Sequence, residues 1–409
     1  MAGIRKQQGA LTGGEGSGLS AGGGKALLVA GVLVIALNLR PSMAAVGPVA
    51  GMIREAMGLS SSVVGLLTTL PLIAFGTVSM ATPLFTRRYG MAATMAGAMA
   101  LLAAGIGMRS APGPWALMGG TLVLGIGIAL ANVLMPSLVK AQFPRRYGLM
   151  TSLYSSMMSV GASVAAGISV PLAATALGWR GSLATWALLA LVALVLWLPQ
   201  LARLRGRGEG RDFGEAMRHL GRSRLAWNVA LYMGLQSVTF YVFLAWLPDM
   251  VQARGASAAY AGWMLSLSQI TGAVGSLLIP LWAGRIPDQR IIVRVVVALE
   301  LLALAGLTFP AFGPVAPWVF LLGLTLGGAF SLSLFLIGAR AADAATATEL
   351  SGMVQSVGYL VAATGPFLAG GLYDLGGRWM PVFGLLAAIA LVKLRTGTGA
   401  GRAGLVSPH

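Results

Sequence analysis

Cysteine is absent from this 409-residue chain, which excludes disulfides, a thiol nucleophile and any Cys-ligated metal centre. Histidine is nearly absent. His219 lies in a basic loop and His409 is the final residue, and neither has a second histidine at ligand spacing. Acids are few, 11 in all, and no paired carboxylates or Ser/His/Asp set marks a hydrolytic centre. The chain is therefore not read as an enzyme, and no cofactor or metal is expected. Charge of either sign is scarce at 10% of residues, against about 25% in soluble domains. What is abundant is apolar, 57% of residues, with a mean hydropathy of +0.82. A chain this apolar cannot keep its surface in water, and it reads as an integral membrane protein.

The net charge of +17 would suit a nucleic-acid binder, but its distribution argues otherwise. Most Lys and Arg fall in the tails and in alternate loops, those starting at Arg87, Arg145, Arg203 and Arg285. Arg54, Arg109, Arg180, Arg254 and Arg378 fall in the intervening loops on the other side. This bias predicts both termini in the cytoplasm.

A helix needs about 20 apolar residues to cross the hydrocarbon core. Twelve such runs are present, near 26–50, 60–82, 91–109, 114–139, 148–174, 181–199, 225–250, 258–282, 291–311, 315–339, 348–372 and 379–395. The fold class is all-α. Residues 1–24 read as a disordered tail, 25–200 as one six-helix bundle, 201–224 as a hydrophilic linker, 225–396 as a second six-helix bundle and 397–409 as a tail. The halves resemble each other. One constant offset places Gly58 on Gly255, Ser60 on Ser257, Gly65 on Gly262, Ser79 on Ser276, Pro83 on Pro280 and Arg88 on Arg285. A slightly longer one places Gly127 on Gly327. Two repeats related by an axis along the membrane normal follow. Glycines such as Gly323 and Gly327 are expected to let helices pack closely.

This layout resembles the major facilitator superfamily of secondary transporters. The superfamily's signature between spans two and three carries an acid before its arginine. Here "PLFTRRYGMA" keeps Arg88 but has Arg87 in the acid's place, and the second-half counterpart "PLWAGRIPDQR" also lacks an acid before Arg285. Asp288 is the candidate replacement. Several stretches, "NLRPSMAAVGPV", "ALANVLMPSLVKAQFPRRYGLM" and "GLQSVTFYVFLAWLPDMVQARG" among them, are similar to the cyanate and 2-nitroimidazole transporter family. The resemblance spans roughly residues 30–395 and implies transport of small anionic or polar solutes.

Arg40 raises the central question. It follows an apolar run and, counted from Ala26, lies about 20 Å along a helix, beyond the middle of a core about 30 Å thick. At that depth an arginine costs about 2.5–3.5 kcal/mol on insertion scales. The resemblance places the first, fourth, seventh and tenth spans around a central cavity, where Arg40 could hold an anion by two parallel N–H bonds. The alternative is a structural arginine bonded to backbone carbonyls. Pro41 should open the helix at this point. Asn38, Asn132, Tyr154, Gln236, Tyr241, Trp246, Gln269, Gln355 and Tyr359 are further polar or aromatic candidates inside apolar spans. Each alone reads first as an interhelical hydrogen bond and second as a ligand contact. Glu300 is the acid nearest the middle of a span, a candidate for proton coupling or a paired structural acid. Arg88, Arg285 and Asp288 are candidate gating residues.

The leading expectation is a secondary transporter of a small, cyanate-like anion, working by alternating access. It would act as a monomer in the lipid bilayer, with H+ as a candidate coupling ion. The close alternative carries neutral nitroimidazole-type heteroaromatics. A non-transporting membrane receptor fits less well, because its central loop has no recognisable partner domain.

Overall fold

The computed structural model describes residues 18–59, 61–204 and 212–406, and nearly all of them are helical. A lipid core offers backbone groups no water, so each crossing must satisfy its own N–H and C=O groups within a helix. The first crossing is broken into α1 (Gly18–Asn38), α2 (Pro41–Ala44) and α3 (Val46–Met57). The second consists of α4 (Ser61–Val78) and α5 (Thr82–Tyr89). Then come α6 (Met91–Ser110), α7 (Pro114–Gln142), α8 (Tyr147–Ala173) and α9 (Gly178–Arg203). Helix α10 (Phe213–Arg222) sits in the connection, capped by the Asp212 carboxylate, which accepts from the Glu215 N–H at 2.9 Å. The second half contains α11 (Arg224–Gln252), α12 (Ala258–Ala283), α13 (Arg290–Thr308), α14 (Val315–Arg340), α15 (Ala344–Gly376) and α16 (Met380–Gly401).

Eleven helices among the described residues are long and apolar enough to cross a membrane. The twelfth crossing is α15, 33 residues long and diluted by Glu349, Ser351, Gln355, Ser356 and Tyr359, all buried. Part of the expected tail 1–24 lies outside the described residues, as do Ser60, 205–211 and 407–409. From Gly18 the chain is already helical, and α16 runs to Gly401, past the expected boundary at 396.

The repeat is visible in the turns. On the face opposite the termini, Gly58, Gly113 and Gly178 turn the first half, and Gly255, Gly313 and Gly377 turn the second. All six have positive φ, between 60° and 99°, where a side chain is strained. The pairing of Gly58 with Gly255 thus records a shared turn geometry.

Within each half the helices approach closely. A Cβ on Gly327 would run into the backbone of Gly272, and one on Gly323 into Ser268 and Thr271. The Gly323/Gly327 pair therefore packs α14 on α12 inside the second half. Between the halves, α8 lies against α12 and α15 against α4 and α7. Ser152 donates to the Leu277 carbonyl at 2.6 Å and Ser155 to that of Ser276 at 3.1 Å.

Candidate functional site

The cavity lies between the halves, about 740 Å³ including the part open to solvent. The first half contributes Arg40 and a short stretch of α8 containing Met158, Ser159 and Ala162. The second half contributes α11, α12, α14 and Tyr359 of α15. This corrects one expectation: α7 does not line it. That helix is sheathed by its neighbours and pressed against α15 nearer the terminal face, where Gln355 Nε2 donates to the Asn132 carbonyl at 2.9 Å.

Arg40 sits at the break. Helix α1 ends at Asn38, and Arg40 (φ −121°, ψ −33°) precedes Pro41, whose ring excludes a continuous helix. The freed Leu37 carbonyl faces Gly161 of α8, where a Cβ would collide with it and with Pro41. Arg40 itself is half-buried. Its guanidinium carbon lies 4.7 Å from the Phe330 ring centroid and 5.8 Å from that of Phe240. The Arg40 side chain makes no hydrogen bond or ion pair among the described residues, while its backbone carbonyl accepts from the Met43 and Ala44 N–H groups at 3.1 and 3.0 Å. With two rings near its carbon and no side-chain hydrogen bond among the described residues, its N–H groups remain for a partner.

Of the other sequence candidates, Gln236, Tyr241, Gln269 and Tyr359 line the same cavity. Gln236 Nε2 donates to Ser237 Oγ at 2.7 Å and its Oε1 has no partner. Tyr359 packs on Phe75 at 4.9 Å between centroids. The structure does not bring the rest there. Asn38 donates to Val34 and Leu189 carbonyls, facing α9. Asn132, Tyr154 and Gln355 are buried between helices. Trp246 donates to the Pro366 carbonyl and packs near Trp379. Phe240 and Phe330 were not singled out by sequence. A phenylalanine in an apolar span carries no signal of its own.

Two cations near the ends of apolar runs are buried. Arg109, assigned to a loop, ends α6 with 1% exposure and donates to the Ser42 carbonyl at 2.6 Å, bracing the broken segment α2. Lys393 of α16 is fully buried and paired with Glu300 of α13. Glu300 is thus a paired acid, remote from the cavity lining.

The gate is also rearranged from the expectation. Asp288 bonds its neighbour Arg290 at 2.6 Å, and that hydrogen bond holds its carboxyl below the usual range. It does not bridge the halves. Arg88 and Arg285 are exposed. The bridging pair is Arg87 with Glu349 of α15, 2.8 Å apart, with Phe213 of α10 beside the guanidinium. Lys140 donates to the Gly338 carbonyl at 2.8 Å and Tyr147 to that of Leu334 at 3.2 Å. These contacts close the terminal face beneath the cavity.

Among known proteins, a family model described as Major Facilitator Superfamily matches residues 28–363. The chain is 40% identical over 383 residues to the 2-nitroimidazole transporter of Escherichia coli (strain K12), covering 93% of this chain and 97% of that protein. It is 32% identical over 350 residues to the cyanate transport protein CynX of the same organism, covering 85% of this chain and 90% of that protein. The crystal structure of FucP, a Major Facilitator Superfamily transporter in the outward conformation, superposes with a TM-score of 0.72. It covers 92% of this chain and 99% of that chain at 13% identity, a likeness of fold.

Proposed function

The chain belongs to the Major Facilitator Superfamily, and on that premise we propose that it is a secondary transporter of a small anionic or polar solute held at Arg40. The observation that carries this reading is the guanidinium itself. It lies at a helix break in the cavity between the halves, with two phenyl rings near it and no side-chain hydrogen bond among the described residues. A small anion accepting from its N–H groups would offset the cost of a cation at that depth. Gln236, Gln269, Tyr241 and Tyr359 supply further polar contacts and set orientation. Cyanate fits by charge and size, and the resemblance to a cyanate transport protein supports it.

A second reading is favoured by the aromatic lining and by the 40% identity to a 2-nitroimidazole transporter. A neutral heteroaromatic could stack on Phe240 or Phe330 and offer its nitro oxygens to the same arginine. A thermal-shift titration of the purified protein separates the two. A ligand of the folded state stabilises it by about 2.7 kcal/mol at a hundredfold excess over Kd. On the leading reading cyanate and other small anions that fit the site each raise the melting temperature, and Arg40→Ala removes the effect. Stabilisation by 2-nitroimidazole alone, insensitive to anions, would select the second.

Alternating access is the natural use of this architecture: the contacts at the terminal face open as the cavity mouth closes. The protein acts as a monomer in the bacterial inner membrane, with both termini cytoplasmic. Arg87, Arg145, Arg146, Arg203 and Arg290 on the terminal face support that orientation. A cysteine placed at Gly206 should then react with an impermeant thiol reagent only in permeabilised cells. Labelling in intact cells would reverse the topology.

A further inference from the structure

The cavity carries one fixed charge. Among the residues that line it, Arg40 is the sole charged side chain and there is no carboxylate. Three acids outside it are held in ion pairs. Glu300 is paired with Lys393, Glu349 with Arg87 and Asp288 with Arg290. Arg40 also belongs to the first half, whereas Phe240 and Phe330 near it belong to the second. Rocking the halves must therefore move a cation relative to the rings that partly solvate it. With an anion on the guanidinium the occluded cavity is neutral. Without one it encloses an unpaired cation, which a low-dielectric interior strongly disfavours.

Resting on the reading of Arg40 as the substrate site, we infer that the protein is an anion exchanger. The loaded carrier changes face readily and the empty one is held back, so one monoanion enters as another leaves. The cycle balances in charge and needs neither a proton nor a metal cation. It also frees uptake from the membrane potential, which opposes entry of a lone anion.

The test uses the full-length protein in liposomes, with the potential clamped by potassium and valinomycin. Initial uptake of radiolabelled cyanate, and separately of benzoate, is compared between vesicles preloaded with the same unlabelled anion and vesicles free of it. Preloading should accelerate uptake on the order of tenfold or more, because desolvating an unpaired arginine is the added barrier of the empty carrier. Arg40→Gln should remove the acceleration. Equal rates with and without preloading would overturn the inference and leave the Arg40 site standing. So would accumulation driven into anion-free vesicles by an imposed pH gradient. If neither probe enters in either mode and neither raises the melting temperature, the substrate reading fails, and the inference falls with it.

Discussion

Glu300 and Lys393 are both fully buried, on α13 and α16, and their ion pair shows what a single residue can and cannot announce. Each charge alone would be costly in this environment; together they come near to breaking even. Glu300→Gln should therefore destabilise by about 3–5 kcal/mol, since it leaves Lys393 uncompensated. The double change Glu300→Leu with Lys393→Met should recover most of that loss. Thermal unfolding of the wild type and the two variants in detergent measures it, and a double variant no more stable than Glu300→Gln contradicts the pairing. Glu300 was legible in sequence because an acid in the middle of an apolar run has no other explanation than a role or a partner. Lys393 and Arg109 were not. Both lie near the ends of apolar runs, where a long cation usually reaches the interface, and only packing decides whether it turns inward. Arg40 was legible for the opposite reason: it lies too deep to reach either interface.

At the scale of elements, the break between α1 and α2 is written in Pro41, but its support is not. The Leu37 carbonyl freed by the proline faces Gly161, more than a hundred residues later, and no local pattern connects the two. Gly161→Val should force α8 away from the break. We expect a loss of about 1–3 kcal/mol, in the range of overpacked cores, and a displaced Arg40 with weakened ligand binding. Melting temperature and ligand-induced shift measure both effects, and a Gly161→Val protein of wild-type stability and binding would remove this contact from the account. The remaining elements divide in the same way. Twelve crossings and their repeat follow from hydropathy and from matching turn glycines, even though the polar α15 falls short by apolarity alone. Which crossings line the cavity depends on how the halves meet, and α7 was misplaced because sequence does not encode the current tilt of one half on the other.

At the scale of the whole molecule, the two halves are joined at the terminal face by a pair whose signs are the reverse of the familiar motif: Arg87 stands where an acid was expected, and Glu349 answers it from α15. Glu349→Gln should loosen this closure. Because the chain has no cysteine, Arg87→Cys with Glu349→Cys can be joined by a short bifunctional thiol reagent, and transport should stop on cross-linking and return when the link is cleaved. Unimpaired transport by the cross-linked protein would show that the halves need not part there. All of this serves one site, and the most direct test of it is ligand affinity and melting temperature for Arg40→Ala and Arg40→Lys in detergent. The account predicts that both fold, that Arg40→Ala loses anion binding, and that Arg40→Lys loses about tenfold or more because lysine keeps a charge but not the planar fork. A folded Arg40→Ala protein that binds its anion with wild-type affinity would contradict it.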